Sequence, residues 1–283
     1  MRLELRIAPL DLDKTLGCGQ TFRWRRQQDG SWAGPLSDQF VVLCQEDDVV
    51  HVDAFPGRAD LDDLVAEHLR ECDDIPRIQK ELGRDPRMAR GIAELEGLRI
   101  VKIDEWECLV SFALATYANI PRISRMIETL ARNYGERITE DIYTFPTQKR
   151  LGKATVRELA RCGLGYRADY AHELCREVDE GTLERLKKLN YQQLREELRE
   201  LPGVGNKVAD CVSLFGFGRL ESFPIDVWIQ RALARLYRVK GSYKRLREFA
   251  AERFGHYAGY AQEYLYYNER LRARNGACLF LEQ

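Results

Sequence analysis

The first sixty residues alternate between apolar and polar side chains in the way that is typical of strands. The runs FRWRRQ, SWAG, QFVVLCQ and VVHVDAF are separated by stretches that favour turns, among them QDGS and EDD. Short alternating runs with polar turns between them indicate an antiparallel meander. The N-terminal part is therefore predicted to form a small β-sheet.

From LDDLVAEHLR onward the apolar residues recur with the period of a helix. In residues 121–135 they lie at i, i+3, i+4 and i+7, with a proline at the start and a glycine at the end. The fold class is therefore α+β: an antiparallel β-sheet domain with exit helices over residues 1–100, then a mostly α-helical domain over 101–283. Further helices are predicted near residues 105–116, 150–161, 168–178, 191–199, 206–216, 226–237, 243–254 and 257–274.

Composition places the chain among soluble globular proteins. It has 283 residues, of which 45% are hydrophobic, and no apolar run approaches the roughly 20 residues that span a bilayer. The N-terminus MRLELRIAPL lacks the features of a signal peptide, so we expect a cytoplasmic protein, associated with the nucleoid if the source is prokaryotic. The eight cysteines include no CxxC pair and are predicted to be reduced core residues.

Charge is distributed unevenly along the chain, although the net charge is only −1. Residues 46–74 contain eleven acidic side chains and two arginines, whereas residues 201–283 contain thirteen basic and eight acidic ones. Such asymmetry allows a basic face for phosphates while the acidic segment points away. Solvated helix surfaces of both signs explain the same charges, so charge alone does not decide between them.

The stretch LPGVGNKVADC predicts a tight hairpin between two helices. An amphipathic helix ends at Leu201, residues 201–205 turn the chain, and a second helix begins at Asn206. Gly203 and Gly205 permit positive φ and leave the backbone uncovered, so N–H groups at the start of the second helix can face an anion. A DNA phosphate suits that site, and so does an ordinary helix corner with no ligand.

Two residues after this hairpin are candidates for chemistry. Lys207 lies in the first helical turn, where the helix dipole disfavours an ammonium ion and so favours the nucleophilic free amine. Asp226, in PIDV, opens a later helix and can stabilise positive charge that develops on a sugar carbon. A solvated surface charge and a helix N-cap are the respective alternatives, and an N-cap is compatible with catalysis.

These motifs together resemble the helix-hairpin-helix (HhH-GPD) DNA glycosylase superfamily, and in detail its 8-oxoguanine DNA glycosylase branch. The similarity covers nearly the whole chain, because further matches occur in the family's order. They are CGQTFRW at 18–24, ECLVSF at 107–112, IPRI at 120–123 and GLGYRADY at 163–170.

The resemblance implies a bifunctional DNA glycosylase and AP lyase of base excision repair. Such an enzyme flips 8-oxoguanine out of the duplex and attacks C1′ with the hairpin lysine, here Lys207. The resulting Schiff base permits β-elimination, and Asp226 corresponds to the catalytic aspartate. The implied partner is double-stranded DNA with 8-oxoguanine opposite cytosine, and we expect a monomer without metal or other cofactor.

The resemblance also implies the residues of the base pocket. Gly19 corresponds to the glycine whose carbonyl accepts the N7–H that 8-oxoguanine has and guanine lacks, which leaves an unpaired acceptor against guanine. Gln262 corresponds to the residue that hydrogen-bonds the Watson–Crick edge. Cys211 and Tyr266 correspond to the two sides of the pocket that hold the flipped base.

Further residues are implied to contact the rest of the DNA. Two of them differ from the family pattern, because Tyr117 stands in place of an asparagine that fills the gap and Trp228 in place of a histidine; in the base pocket, Tyr266 stands in place of a phenylalanine. The implied groups are Arg122 and Arg167 at the orphaned cytosine, Tyr166 and Tyr117 as wedges in the base stack, and Gly203, Val204, Gly205 and Trp228 at phosphates.

Three other functions compete with this interpretation. An endonuclease III-like or adenine-specific glycosylase carries a four-cysteine iron–sulfur cluster behind the catalytic helices, but only Cys278 follows Cys211 in this chain. An alkylation-repair glycosylase generally lacks the lysine found at position 207. A non-catalytic module could use the hairpin only to bind phosphate.

Overall fold

The N-terminal part of the chain is a five-stranded antiparallel sheet in the order β1-β5-β4-β3-β2. The computed structural model describes residues 1–279, with side chains as far as residue 274. The predicted runs contain four of the strands, and β1 is an additional strand paired with β5. The strands are β1 (Arg2–Arg6), β2 (Arg25–Arg26), β3 (Trp32–Leu36), β4 (Gln39–Glu46) and β5 (Val49–Phe55).

One face of the sheet is buried because its apolar residues alternate in register across neighbouring strands. Leu43 of β4 lies opposite Val52 of β5, and Val41 lies opposite Ala54. Both pairs are buried and belong to the same core as the helices that follow. On the other face, Arg2 of β1 lies opposite Asp53 of β5 and Glu4 opposite His51, as expected for a sheet with one wet face.

Helices form most of the remaining chain, which confirms the α+β fold class. They are α1 (Leu12–Gly17), α2 (Leu61–His68), α3 (Ile75–Leu82), α4 (Pro86–Glu94), α5 (Glu105–Leu114), α6 (Ile120–Tyr134), α7 (Gln148–Leu151), α8 (Val156–Leu159), α9 (Arg167–Glu177), α10 (Glu180–Lys187), α11 (Tyr191–Glu200), α12 (Asn206–Cys211), α13 (Val227–Tyr237), α14 (Tyr243–Phe254) and α15 (Ala258–Leu279).

Two of the predicted helices differ in detail from the structure. The helix predicted near 150–161 is two short helices, because Thr155 and Glu158 form a capping box that starts α8 after the end of α7 at Leu151. The helix predicted over 206–216 is α12 followed by a π-helical segment, Val212–Gly216. No helix in the described part of the chain is long and apolar enough to cross a membrane.

The turn after α2 and helix α4, which precede the predicted domain boundary near residue 100, also contact the C-terminal helix. Tyr260 of α15 donates to Asp73 at 2.6 Å, and Asn268 donates to the carbonyl of Gly91 in α4 at 3.1 Å. These bonds fix α15 against the N-terminal part. The residues that α15 carries are thereby held in a defined position relative to α1 and the loop after it.

The cysteines only partly follow the prediction of core thiols. Among the side chains that the structure describes, seven cysteines are free, and Cys18, Cys108, Cys162 and Cys211 are buried. Cys44 and Cys72 are exposed, because Cys44 points to the wet face of β4 and Cys72 lies in the turn after α2. Cys278 lies outside the described side chains.

Candidate active site

One cavity of about 920 Å³ brings together most of the residues predicted for the site. It lies between the loop after α1, the start of α6, the hairpin, the start of α13, and α15. Of the predicted residues it is lined by Gly19, Tyr117, Gly203, Gly205, Lys207, Cys211, Asp226, Trp228, Gln262 and Tyr266.

The hairpin between α11 and α12 has the predicted position, but its two glycines serve different purposes. Gly203 has φ +75, and a Cβ there would lie 2.7 Å from the Tyr170 ring. Gly205 has φ −85 and is the N-cap of α12, so it does not use the positive φ that glycine permits. A Cβ on Gly205 would meet nothing within 4 Å, which leaves that side of the backbone open to a ligand. The N–H of Val204 already donates to the Leu201 carbonyl at 3.1 Å.

A buried ion pair holds the two helices of the hairpin together. Arg195 of α11 donates to Asp210 of α12 at 2.8 Å and to the side chain of Asn206 at 2.6 Å. Tyr191 and Tyr243 also donate to Asp210, at 2.9 and 2.6 Å. Because its carboxylate is fully surrounded by donors, the charge can remain buried, and the first turn of α12 is fixed in place.

Lys207 lies in that first turn and projects toward the aromatic floor of the cavity. Its Nζ is 4.9 Å from the ring centroid of Phe112 in α5, a cation–π geometry. Burial raises the pKa of the neighbouring Cys211 thiol to about 11, although the Lys207 amine beside it opposes the rise. Cys211 is therefore a neutral thiol, and the lysine is the nucleophile that these two residues offer.

Asp226 is the N-cap of α13, as predicted. Its Oδ1 accepts from the backbone N–H groups of Trp228 and Ile229, both at 2.9 Å. Among the described residues, none donates to Oδ2, and the residue lines the same cavity as Lys207. The carboxylate is thus held by the helix and keeps one oxygen for the cavity.

Gly19 lies in the loop after α1, where only glycine fits. Its φ is +104, and a Cβ would lie 2.5 Å from Ile120 Cδ1 and 2.7 Å from Arg270 Nη1. Arg270 donates to the carbonyl of Cys18, the residue that precedes Gly19. The peptide at Gly19 is therefore held from α15, and sequence reasoning did not identify Arg270.

Helix α15 supplies one complete wall of the cavity. Gln262, Tyr266 and Arg270 follow each other at i, i+4 and i+8 and so share one helix face. Arg270 lies 5.3 Å from the Tyr266 ring centroid and donates to its hydroxyl at 3.2 Å. Glu263, a second residue that sequence reasoning missed, also lines the cavity and is 1% exposed. The helical spacing from Gln262 could have identified Arg270.

Of the two predicted wedge residues, Tyr117 lines the cavity and Tyr166 bonds to the loop that carries Tyr117. Tyr117 is 93% exposed with φ +52 in the loop between α5 and α6. Tyr166, which is half exposed, donates to the carbonyl of Thr116 at 3.3 Å. Arg167 is buried, and its guanidinium donates to the same carbonyl at 3.0 Å. Arg167 thus supports the Tyr117 loop and does not line the cavity.

Arg122 and Trp228 lie at the edges of the site. Arg122 is exposed on α6 and lines a neighbouring cleft of about 510 Å³ together with Arg125 and Arg161. Trp228 lines the main cavity, with the guanidinium of Arg231 5.0 Å from its ring centroid. Arg231 therefore places a cation beside Trp228, next to the position at which the resemblance implies a phosphate.

Comparisons with known proteins assign the chain to a family. The family model of the 8-oxoguanine DNA glycosylase N-terminal domain matches residues 2–109, and that of the HhH-GPD superfamily of base excision DNA repair proteins matches residues 110–256. N-glycosylase/DNA lyase OGG1 of Arabidopsis thaliana is 30% identical over 94% of this chain and 79% of its own length. The chain belongs to the 8-oxoguanine DNA glycosylase family.

Solved structures of 8-oxoguanine DNA glycosylases share the whole fold. The 8-oxoguanine glycosylase/lyase of Clostridium acetobutylicum in its apo form has a TM-score of 0.89 at 32% identity, covering 94% of this chain and 95% of that one. MBOgg1, solved in complex with a low-affinity DNA ligand, has a TM-score of 0.92 at 34% identity and covers 96% of both chains. Both the sheet and the helical part therefore belong to the 8-oxoguanine DNA glycosylase fold.

Proposed function

We propose that this glycosylase excises 8-oxoguanine paired with cytosine, with Lys207 as nucleophile and Asp226 as the charge that stabilises the reacting sugar. The enzyme is a DNA N-glycosylase with lyase activity, as its family membership establishes. The observation that carries the residue assignment is the convergence of Lys207, Asp226 and Gly19 on one cavity from three separate elements.

The arrangement supports a covalent route through C1′ of the flipped nucleotide. The free amine of Lys207 attacks C1′, the bond from C1′ to N9 breaks, and the base leaves with the electron pair. Positive charge that develops on the sugar is stabilised by the fixed Asp226 carboxylate. The attached nitrogen passes a proton to the departing base, and the sugar ring opens as O4′ takes the C1′–O4′ electron pair and a proton from solvent, which gives a protonated Schiff base between Nζ and C1′. Loss of a C2′ proton then expels the 3′ phosphate with its bonding electrons.

Selection of the base depends on Gly19 and the wall formed by α15. A flipped purine between Cys211 and Tyr266 places its imidazole edge toward the loop that carries Gly19. The Gly19 carbonyl then accepts the N7–H of 8-oxoguanine, whereas guanine presents a lone pair to it. Gln262 has an unpaired Oε1 among the described residues, which suits it to bond the Watson–Crick edge.

The partner is duplex DNA, and cytosine is the expected opposite base. The Clostridium acetobutylicum relative was solved with double-stranded DNA containing cytosine opposite 8-oxoG, at 31% identity and a TM-score of 0.89 over 96% of this chain and 98% of that one. We assign the cytosine contact mainly to Arg122, because Arg167 is buried against Thr116. We further propose that the protein acts as a cytoplasmic monomer.

Borohydride trapping tests the proposed reaction. A duplex with one 8-oxoguanine opposite cytosine is expected to give a covalent protein–DNA complex on reduction, because the Schiff base becomes a stable amine. The same duplex with guanine in place of the lesion is the control and is expected to give none. Absence of an adduct with the lesion duplex contradicts the proposed function.

Replacement of Arg122 tests the opposite-base assignment. In Arg122→Ala, we expect the preference for cytosine over the other three bases to fall by about tenfold, the value of a good contact to a base edge. Arg125→Ala, in the same cleft, is the matched control and is expected to keep the ratio between bases. Single-turnover excision from the four duplexes measures both. Equal preference in Arg122→Ala and the parent enzyme shows that cytosine is selected elsewhere.

A further inference from the structure

A carboxyl oxygen without a hydrogen-bond partner, Oε1 of Glu263, lies in the proposed base pocket. The residue is 1% exposed and lines the main cavity. Among the described residues, nothing hydrogen-bonds its Oε1. A buried carboxyl oxygen without a partner is costly, and such a group in a ligand cavity suggests that the ligand completes it.

The surroundings of Glu263 place it beside the peptide that contacts the base. Its carboxyl lies against the thiol of Cys18, which precedes Gly19, and that thiol donates to the Thr15 carbonyl at 3.3 Å. Arg270 uses Nη1 on the Cys18 carbonyl and the Tyr266 hydroxyl. Among the described side chains, Arg270 forms no ion pair with Glu263, so Oε1 of Glu263 remains available to a ligand.

The geometry points to Glu263 as a second acceptor for the N7–H of the flipped base, which shares that proton with the Gly19 carbonyl. This inference rests on the proposed function, since it concerns the base that the enzyme selects. Three-centre hydrogen bonds of this kind are common in proteins. An ionised carboxylate beside N7 attracts the N–H of 8-oxoguanine and repels the lone pair of guanine, so Glu263 increases the selectivity of the pocket.

The inference predicts that selectivity depends on pH. Burial raises the pKa of Glu263 to about 7, and the charge of Asp226 adds to the rise, while Cys18 and Arg270 oppose it. Tyr266 also faces the group and stays neutral, because burial raises the pKa of its hydroxyl. Above that pKa the carboxylate accepts from 8-oxoguanine. Below it the protonated acid can donate to N7 of guanine instead, so the discrimination decreases.

Binding by a variant that cannot excise separates recognition from chemistry. In a Lys207→Gln background, affinities for matched duplexes with 8-oxoguanine or guanine opposite cytosine are measured between about pH 6 and about pH 8. We expect the ratio of the two affinities to rise by about tenfold over this range, the value of a hydrogen bond to a charged group. Effects of pH on general DNA binding cancel in the ratio.

The isosteric Glu263→Gln change removes the titrating group and keeps its shape. We expect its ratio to be independent of pH and to stay near the low-pH value of the Lys207→Gln protein. Glu269→Gln is the matched control, because Glu269 lies on the same helix and is paired with Arg235 at 2.7 Å. It is expected to keep the full rise, and binding to the guanine duplex shows that each variant is folded.

The outcomes distinguish the inference from the proposed function. A pH-dependent ratio that persists unchanged in Glu263→Gln overturns the role of Glu263, while the preference for 8-oxoguanine still supports the proposed function. If the Lys207→Gln protein itself shows a ratio of affinities near one at every pH, the proposed function is contradicted. If Glu263 only supports the loop that carries Cys18, Glu263→Gln should bind both duplexes more weakly, and the ratio of the two affinities should keep its pH dependence.

Discussion

Replacing Lys207 with glutamine is expected to abolish the borohydride-trapped complex and to lower 8-oxoguanine excision by at least about a thousandfold, the typical cost of removing a catalytic nucleophile. Glutamine keeps a polar side chain, one atom shorter than that of lysine, but has no nucleophilic amine. The first turn of α12 should persist, because Asp210 and Arg195 hold it independently of position 207. Single-turnover excision and trapping measure the two losses.

Binding distinguishes loss of chemistry from loss of structure in the Lys207→Gln enzyme. Affinity for the lesion duplex should stay close to that of the parent enzyme, since the cavity wall of α15 and the hairpin are unchanged. Lys240→Gln makes the same change at an exposed position outside the cavity and should leave trapping intact. A covalent complex that still forms in Lys207→Gln places the nucleophile elsewhere in the chain.

The positions of Lys207 and Asp226, the proposed catalytic pair, could be predicted from sequence because both residues lie in short contiguous motifs. Lys207 follows a hairpin whose glycines mark the turn, and Asp226 precedes an apolar helix at a position typical of an N-cap. Local patterns of this kind fix where a residue lies on its helix. The resemblance then supplied the chemical role, which position on a helix alone does not determine.

Two other residues of the pocket wall, Glu263 and Arg270, were missed because their place in the wall depends on tertiary contacts. Glu263 and Arg270 are ordinary charges on a long helix until α15 packs beside the loop that carries Cys18, more than two hundred residues earlier. Arg167 is the reverse case. Its motif matches that of a residue that contacts DNA, but its guanidinium donates to the Thr116 carbonyl. The direction in which these side chains point depends on packing between distant segments, which no single sequence motif encodes.

Local errors in the prediction also have identifiable physical causes. Helix α10 was missed because Gly181 lowers helix propensity in a short segment, while its N-cap Asp179 and the burial of Leu183 and Leu186 compensate. Of the two properties that the hairpin glycines offer, positive φ and an uncovered backbone, Gly205 shows only the second, since it leaves open space at the start of α12. A glycine in a sequence can therefore mark either a positive φ or a close approach of another group to the backbone, and sequence alone does not distinguish the two.

Asp226→Asn should separate base excision from the lyase step. Asparagine caps a helix about as well as aspartate, so the backbone bonds to Trp228 and Ile229 and the start of α13 should persist. The negative charge beside the sugar is lost, and excision of 8-oxoguanine is expected to fall by roughly a hundredfold to a thousandfold, as when one preorganised electrostatic group is removed. Single-turnover excision measures this loss.

A duplex with a preformed abasic site shows which step Asp226 serves. The aldehyde of that site forms a Schiff base with Lys207 without breaking a glycosidic bond, so Asp226→Asn should still be trapped on it by borohydride. Asp179→Asn changes another N-cap, whose Oδ1 accepts from Thr182 at 2.7 Å outside the cavity, and should retain full excision. Equal losses in the two variants would assign Asp226 to capping alone. If Asp226→Asn loses base excision but is still trapped on the abasic duplex, the charge of Asp226 is required when the glycosidic bond breaks.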